Sequence, residues 1–151
     1  MFRALSALVA LCCAPSLLAA EISPPASEWR SYCQTYLAAV DDTADASDLD
    51  ITYCIGVTKG LLNGMRIGAQ LGALSFGSRL AVQYELDADE VFKLFQGQAP
   101  AQLLGVCSAP DQVTQDFVRV TLRHLENNPG HLQRPIAEVM YEALRDAYPC
   151  D

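Results

Sequence analysis

Basic side chains are scarce in this chain. Ten Lys and Arg stand against eighteen Asp and Glu, for a formal net charge of −8. A surface so short of positive charge is a poor match for nucleic acid or for an anionic lipid face. Histidine is scarcer still, with only His124 and His131. They do not form a His-x-x-x-His pair, and no acid completes a metal set at a recognisable spacing, so both are expected at the surface or at helix ends. No Cys-x-x-Cys pair occurs, which argues against a zinc or redox site. There is no Gly-x-Ser-x-Gly elbow and no phosphate-cradling glycine loop. Without a nucleophile, a metal set or a cofactor cradle, the chain is expected to be neither an enzyme nor a cofactor protein. Strand-type alternation is missing as well, and the apolar patterns that are present have helical period.

The longest apolar stretch lies at the start. Arg3 precedes an unbroken run of apolar and small residues through Leu18, and Leu18-Ala19-Ala20 is followed by Glu21 and the Pro24-Pro25 pair. A short basic start, an apolar middle and a small-residue exit read as a secretory signal peptide over residues 1–20. The run is short for a membrane span, and no stop-transfer pattern follows it. Removal of residues 1–20 would leave 131 residues, one domain over 21–151, and would take away Arg3, shifting the net charge to −9. Export implies an oxidising compartment. Cys12 and Cys13 would leave with the signal, so that Cys33, Cys54, Cys107 and Cys150 remain. An even number in an exported chain reads as two disulfides.

Four long or moderate helices carry the apolar patterns, with one short helix between the second and the third. The first is expected from about Glu28 to Val40, with Ser27 as N-cap and Trp29, Tyr32, Cys33, Tyr36 and Leu37 on one face. Asp41 to Asp50 holds five acids and reads as a solvated linker. The second helix opens at Ser47, which can form a capping box with Asp50, and is expected to run to about Leu71. Gly56, Gly60, Gly64, Gly68 and Gly72 recur along it at every fourth position, each costing about 0.8–1 kcal/mol of helix propensity relative to Ala. Such a stripe reads as close packing inside the domain, or as a face for a dimer or another partner. A short helix from Asp87 to about Phe95 follows, with Asp87 as N-cap and Glu90 three residues on, before Gln96-Gly97-Gln98-Ala99-Pro100 breaks it. Another runs from about Gln115 to Asn127 and stops at Asn127-Asn128-Pro129-Gly130. The last has Pro135 in its first turn and repeats Leu132, Ile136, Val139, Met140, Ala143, Leu144 and Tyr148 at three and four. The expected fold is therefore all-α, a small bundle of four to five helices with two disulfides.

Hairpin geometry selects the connectivity. Helices joined by a short turn lie antiparallel, so residues equidistant from the turn come side by side. Cys107 and Cys150 are centred on the turn at 127–131, and Cys33 and Cys54 on the acidic linker. The expected pairs are Cys33–Cys54 and Cys107–Cys150, each tying the open end of a helical hairpin.

Several of these residues also form a pattern. Tyr53-Cys54-Ile55-Gly56 is followed by Gly60 and Gly64. Cys107 is followed by Pro110, Val113-Thr114, a helix ending Leu125-Glu126-Asn127-Asn128-Pro129, then Ala137, Glu142-Ala143-Leu144 and Tyr148-Pro149-Cys150. This arrangement resembles the Rap/Tai immunity proteins over about Tyr53–Gly64 and Cys107–Cys150. It departs from them in a Cys107–Pro110 spacing one residue longer and in an Asn-Pro where His-Pro is more usual. The resemblance implies a periplasmic, all-helical and often dimeric protein. It further implies protection of the producing bacterium from a peptidoglycan-cleaving amidase delivered by type VI secretion, by occlusion of that enzyme's active-site groove. The residues it carries over are Cys54, Gly56, Cys107, Pro149 and Cys150.

The contact surface is expected within 76–106, with Glu85, Asp87, Asp89 and Glu90 at its rim, because strong negative charge can steer a protein onto a basic partner. Those four acids lack the glycine-centred spacing of a calcium loop. Rival expectations are an acid-stress holdase chaperone or generic interaction module of the periplasm, and a binder of small apolar ligands in a cavity lined by Leu61, Met65 and Phe76.

Overall fold

The computed structural model describes residues 23–95, 102–108 and 111–150. The signal peptide expected at 1–20 and the break expected at Gln96–Pro100 lie outside the described residues. Five α-helices account for most of the described chain: α1 (Ala26–Val40), α2 (Asp48–Tyr84), α3 (Ala88–Phe95), α4 (Thr114–Asn127) and α5 (Ile136–Ala147). Short 3-10 helices occupy Gln102–Leu104 and Pro129–Gln133. Among the described residues, extended pairing is limited to two isolated bridges, Pro25 with Pro135 and Val106 with Pro149. The fold is all-α with two disulfides.

Trp29, Cys33, Tyr36 and Leu37 of α1 are buried against Cys54 of α2, Val118, Leu122 and Leu125 of α4, and Ile136, Val139, Met140 and Leu144 of α5. Each set repeats at three or four residues, so each helix lays one stripe into a shared core. Two disulfides fasten it. Cys33 is bonded to Cys54 and Cys107 to Cys150, each pair with Cα atoms 5.0 Å apart. The first joins α1 to α2 across the acidic linker. The second closes the α4–α5 hairpin, where the Cys107 N–H also donates to the Tyr148 carbonyl at 2.7 Å. The chain entering α1 is held at both sides of Pro25: the Ala26 N–H donates to Arg134 O, and the Ile136 N–H to Pro24 O, both at 2.9 Å.

Three helix limits differ from the expectations. Helix α1 starts at Ala26, with Pro25 rather than Ser27 at the N-cap. Proline at that point has already set an extended φ of −64° and ψ of 148°, so Ser27 is carried into the first turn. The final helical stretch is split. A 3-10 helix spans Pro129–Gln133, Arg134 and Pro135 are extended, and α5 begins at Ile136, so Leu132 belongs to the turn rather than to α5.

The largest difference is in α2, which does not stop near Leu71 but continues to Tyr84, 37 residues in all. Its start follows the capping box: the Asp50 N–H donates to Ser47 Oγ at 3.2 Å, and the Ser47 N–H to Asp50 Oδ2 at 3.0 Å. Its end is a left-handed residue, Glu85, at φ 53°. The glycine stripe does not serve close packing inside the domain. Among the described residues, a β-carbon added at Gly56, Gly60, Gly64, Gly68 or Gly72 would meet no atom within 4 Å, so α2 is open at these positions.

One polar pair sits in the core. The Trp29 Nε1–H donates to Thr58 Oγ1 at 3.2 Å, and both residues are fully buried. Burying an indole N–H without an acceptor costs about 1–3 kcal/mol. Thr58→Val, which keeps the shape and removes the acceptor, is expected to lower stability by that amount in urea unfolding followed by the single tryptophan. Thr58→Ser should recover most of the loss; a Thr58→Val protein as stable as the parent would show that the bond contributes nothing.

Candidate partner-binding surface

The distal half of α2 extends past the α1–α4–α5 core, and α3 folds back along it. Ala69, Gly77 and Ala81 are buried on this half, and Val91 of α3 is 2% exposed. Small residues on α2 let the short helix approach closely. Larger apolar side chains point outward instead. Ile67, Leu71, Leu74, Phe76, Val82, Tyr84 and Leu86 are all about half exposed or more, Leu71 at 61% and Val82 at 83%. Ile67, Leu71 and Leu74 lie at helical spacing on one side and, with Phe95 and Leu103, line an open groove of about 340 Å³. Exposed apolar side chains are ordinary when scattered, but Ile67, Leu71 and Leu74 are grouped on one side of α2.

Glu85, Asp87, Asp89 and Glu90 all lie at the α2–α3 turn, every one of them exposed. The turn has its own local cause. Left-handed Glu85 ends α2, the Leu86 N–H returns to Ala81 O at 3.0 Å, and Asp87 Oδ1 accepts from the Asp89 N–H at 2.7 Å. Asp87 therefore caps α3 through Asp89, whereas the expectation placed Glu90 in that exchange. The structure thus gathers the four acids at one end of the apolar groove's helix. The expected ligand cavity is not assembled in the same way: Met65 borders a separate hollow of about 140 Å³ with Leu62, Leu104, Val106 and Phe117, and Phe76 lines neither this hollow nor the groove.

At the opposite end of α2, Tyr53 carries the aromatic-Cys pattern. Its ring packs on Tyr32 with centroids 4.2 Å apart, and its hydroxyl donates to Glu28 Oε1 at 2.7 Å. Cys54 beside it is bonded to Cys33, so the motif is a clamp between α1 and α2. Burial first, and then the hydrogen bond and negative charge of Glu28, push the Tyr53 hydroxyl up to about 12.

A second polar cluster surrounds the α4–α5 turn, where both histidines lie at helix ends, His124 in the last turn of α4 and His131 in the 3-10 helix. His124 Nε2 lies 3.2 Å from His131 Nδ1, and Glu142 Oε2 lies 3.8 Å from the same His131 atom. All three residues are half-buried and their ligand atoms lie within 4.8 Å of one another. The acid of this cluster comes from α5, eleven residues beyond His131, where no single-helix spacing could reveal the grouping. Arg134 holds Glu142 with two hydrogen bonds of 2.7 and 2.8 Å and reaches Glu138 at 3.2 Å. Its guanidinium keeps the Glu142 carboxyl below the usual carboxylate range. Among the described residues, no helix is long and apolar enough to cross a membrane.

Because the fold favours the neutral Tyr53 phenol, the Tyr53–Glu28 contribution is whole below about pH 10 and is lost as pH rises from 10 towards 12. An ultraviolet absorbance titration is expected to show one tyrosine ionising near pH 12, and Tyr53→Phe should remove that amplitude. A titration curve with unchanged amplitude near pH 12 in the variant would contradict the assignment.

No curated protein and no solved structure matches the chain significantly. A family model described as Rap1a immunity proteins matches residues 5–150. The likeness therefore runs through the middle of the chain, including the extended α2, and is not confined to the stretches around the cysteines. With two disulfides, an all-helical fold and a match along nearly its whole length, the chain belongs to the Rap1a immunity protein family.

Proposed function

We propose that this immunity protein is exported to the periplasm, and that it binds a peptidoglycan-cleaving amidase delivered by type VI secretion and blocks that enzyme's active-site groove. It acts by occupancy and performs no chemistry itself. The distal half of α2 and the α2–α3 turn form the contact surface. Ile67, Leu71 and Leu74 supply apolar contact, and Glu85, Asp87, Asp89 and Glu90 form the charged rim.

The observation that supports this reading most is the coincidence, on one protruding helix of an immunity-family chain, of an exposed apolar series with an acidic end. Apolar burial supplies affinity and rim charge supplies speed of encounter. The Cys33–Cys54 disulfide holds the base of this helix against α1, which reduces the ordering cost on association. The homodimer that the resemblance implies would use the open glycine face of α2, and sedimentation of the oxidised protein tests it.

The direct test mixes the oxidised protein with the secreted amidase encoded beside it and follows hydrolysis of purified peptidoglycan. Stoichiometric inhibition is expected; undiminished hydrolysis at excess protein would reject the amidase reading. Reversing Glu85, Asp89 and Glu90 to Lys, with Asp87→Asn to keep its cap, is expected to slow association about tenfold or more at low salt. Added salt should narrow the gap. An unchanged association rate would exclude the acidic turn from the interface.

A further inference from the structure

The cluster at the α4–α5 turn has a use that the immunity reading does not call on. His124 sits in the last turn of α4, His131 in the 3-10 helix and Glu142 on α5. Three successive elements each turn one ligand-type atom to a common point: His124 Nε2, His131 Nδ1 and Glu142 Oε2. A tetrahedral cation with nitrogen ligands at about 2.0–2.1 Å holds them about 3.4 Å from each other. The two imidazole nitrogens are 3.2 Å apart. The carboxylate oxygen, 3.8 Å from His131 Nδ1, closes the remainder by rotation of a side chain that has three free torsions.

We propose that His124, His131 and Glu142 form a binding site for one borderline divalent cation of the Zn²⁺ type, with water in the fourth position. Two imidazoles and one carboxylate suit such an ion; calcium and magnesium require shells of oxygen. All three ligands are half-buried, so the ion would be partly shielded and still reachable from solvent.

The neighbouring charges set the terms of binding. In the metal-free pair, one ring donates its proton to the facing nitrogen of the other. A cation needs both facing nitrogens bare, so the donating ring passes to its other tautomer and no net proton is lost. His131 then carries its proton on Nε2, which lies 3.4 Å from Arg134 Nη1, also a donor. Arg134 further competes for Glu142 Oε2 at 2.8 Å, while its second bond, 2.7 Å to Oε1, holds the carboxylate beside the site. Glu138, at 3.2 Å, is the partner to which the guanidinium can turn when the ion arrives. Arg134 thus positions the carboxylate ligand and also lowers affinity through its charge and its competing donor.

The test is calorimetric titration of the oxidised protein with ZnCl₂ in a non-chelating buffer. One ion per chain is expected. His124→Ala and His131→Ala are each expected to weaken binding at least tenfold, with native tryptophan fluorescence confirming the fold. Arg134→Gln is expected to tighten binding several-fold, a gain that no unfolded variant could produce. X-ray absorption of the zinc-loaded parent should show two imidazole nitrogens and oxygen in the first shell. No binding by the parent at about 100 µM, full binding in the double histidine variant, weaker binding in Arg134→Gln or an all-oxygen shell would each overturn the proposal.

Discussion

Trp29 is fully buried at the meeting point of α1 and α2, and its indole N–H ends on Thr58, itself fully buried. An indole of this size supplies much of the apolar burial available to a small domain, and its one polar atom must be satisfied where it lies. That requirement fixes the rotation of α2 about its axis. Cys54 then faces Cys33 and Tyr53 reaches Glu28 and Tyr32. With one half of α2 held in this way, its other half is free to extend past the core. The stable end and the exposed end are two parts of one continuous helix.

That division explains why an apolar series can remain on the surface. Leu71 and Val82 are not needed to fold the chain, because α1, α4 and α5 already bury Val118, Leu125, Ile136, Val139, Met140 and Leu144. The disulfides strengthen the same region: Cys33–Cys54 lies at the base of α2, and Cys107–Cys150 joins the segment preceding α4 to the chain end after α5. Cross-links that restrict the unfolded chain contribute stability that apolar surface left on an exposed helix does not. The exposed Arg119–Asp41 pair adds little beyond this, since water screens the attraction and holding two side chains together costs entropy.

Much of this was legible in the sequence, wherever local chemistry governs. Ser47 and Asp50 marked the start of α2, and the apolar periods of α1, α4 and α5 marked their core faces. The midpoints of Cys33/Cys54 and Cys107/Cys150 fell in turns that bring those residues together. The end of α2 was not legible, because Gly68, Gly72 and Gly77 weaken helix propensity, and the packing of α3 that supports the distal half is a tertiary contact. The glycine stripe was open to two readings, and only the surroundings of each Cα decide between them. The joining of His124, His131 and Glu142 was hidden for a related reason: the 3-10 helix at Pro129–Gln133 sets how α5 returns past α4. For the contact surface, charge pattern pointed to Glu85, Asp87, Asp89 and Glu90, while Leu74 fell beyond the end expected for α2 near Leu71 and the exposure of Ile67 and Leu71 depends on tertiary packing.

The central claim is that recognition by this family member resides on the distal half of α2 and the turn after it. Hydrogen exchange of the protein alone and in complex with its toxin tests this most directly. The account predicts new protection concentrated between Ile67 and Glu90, with α4 and α5 unchanged. Protection confined to α4, α5 or the α1–α2 linker, with the distal half of α2 exchanging as in the free protein, would contradict it.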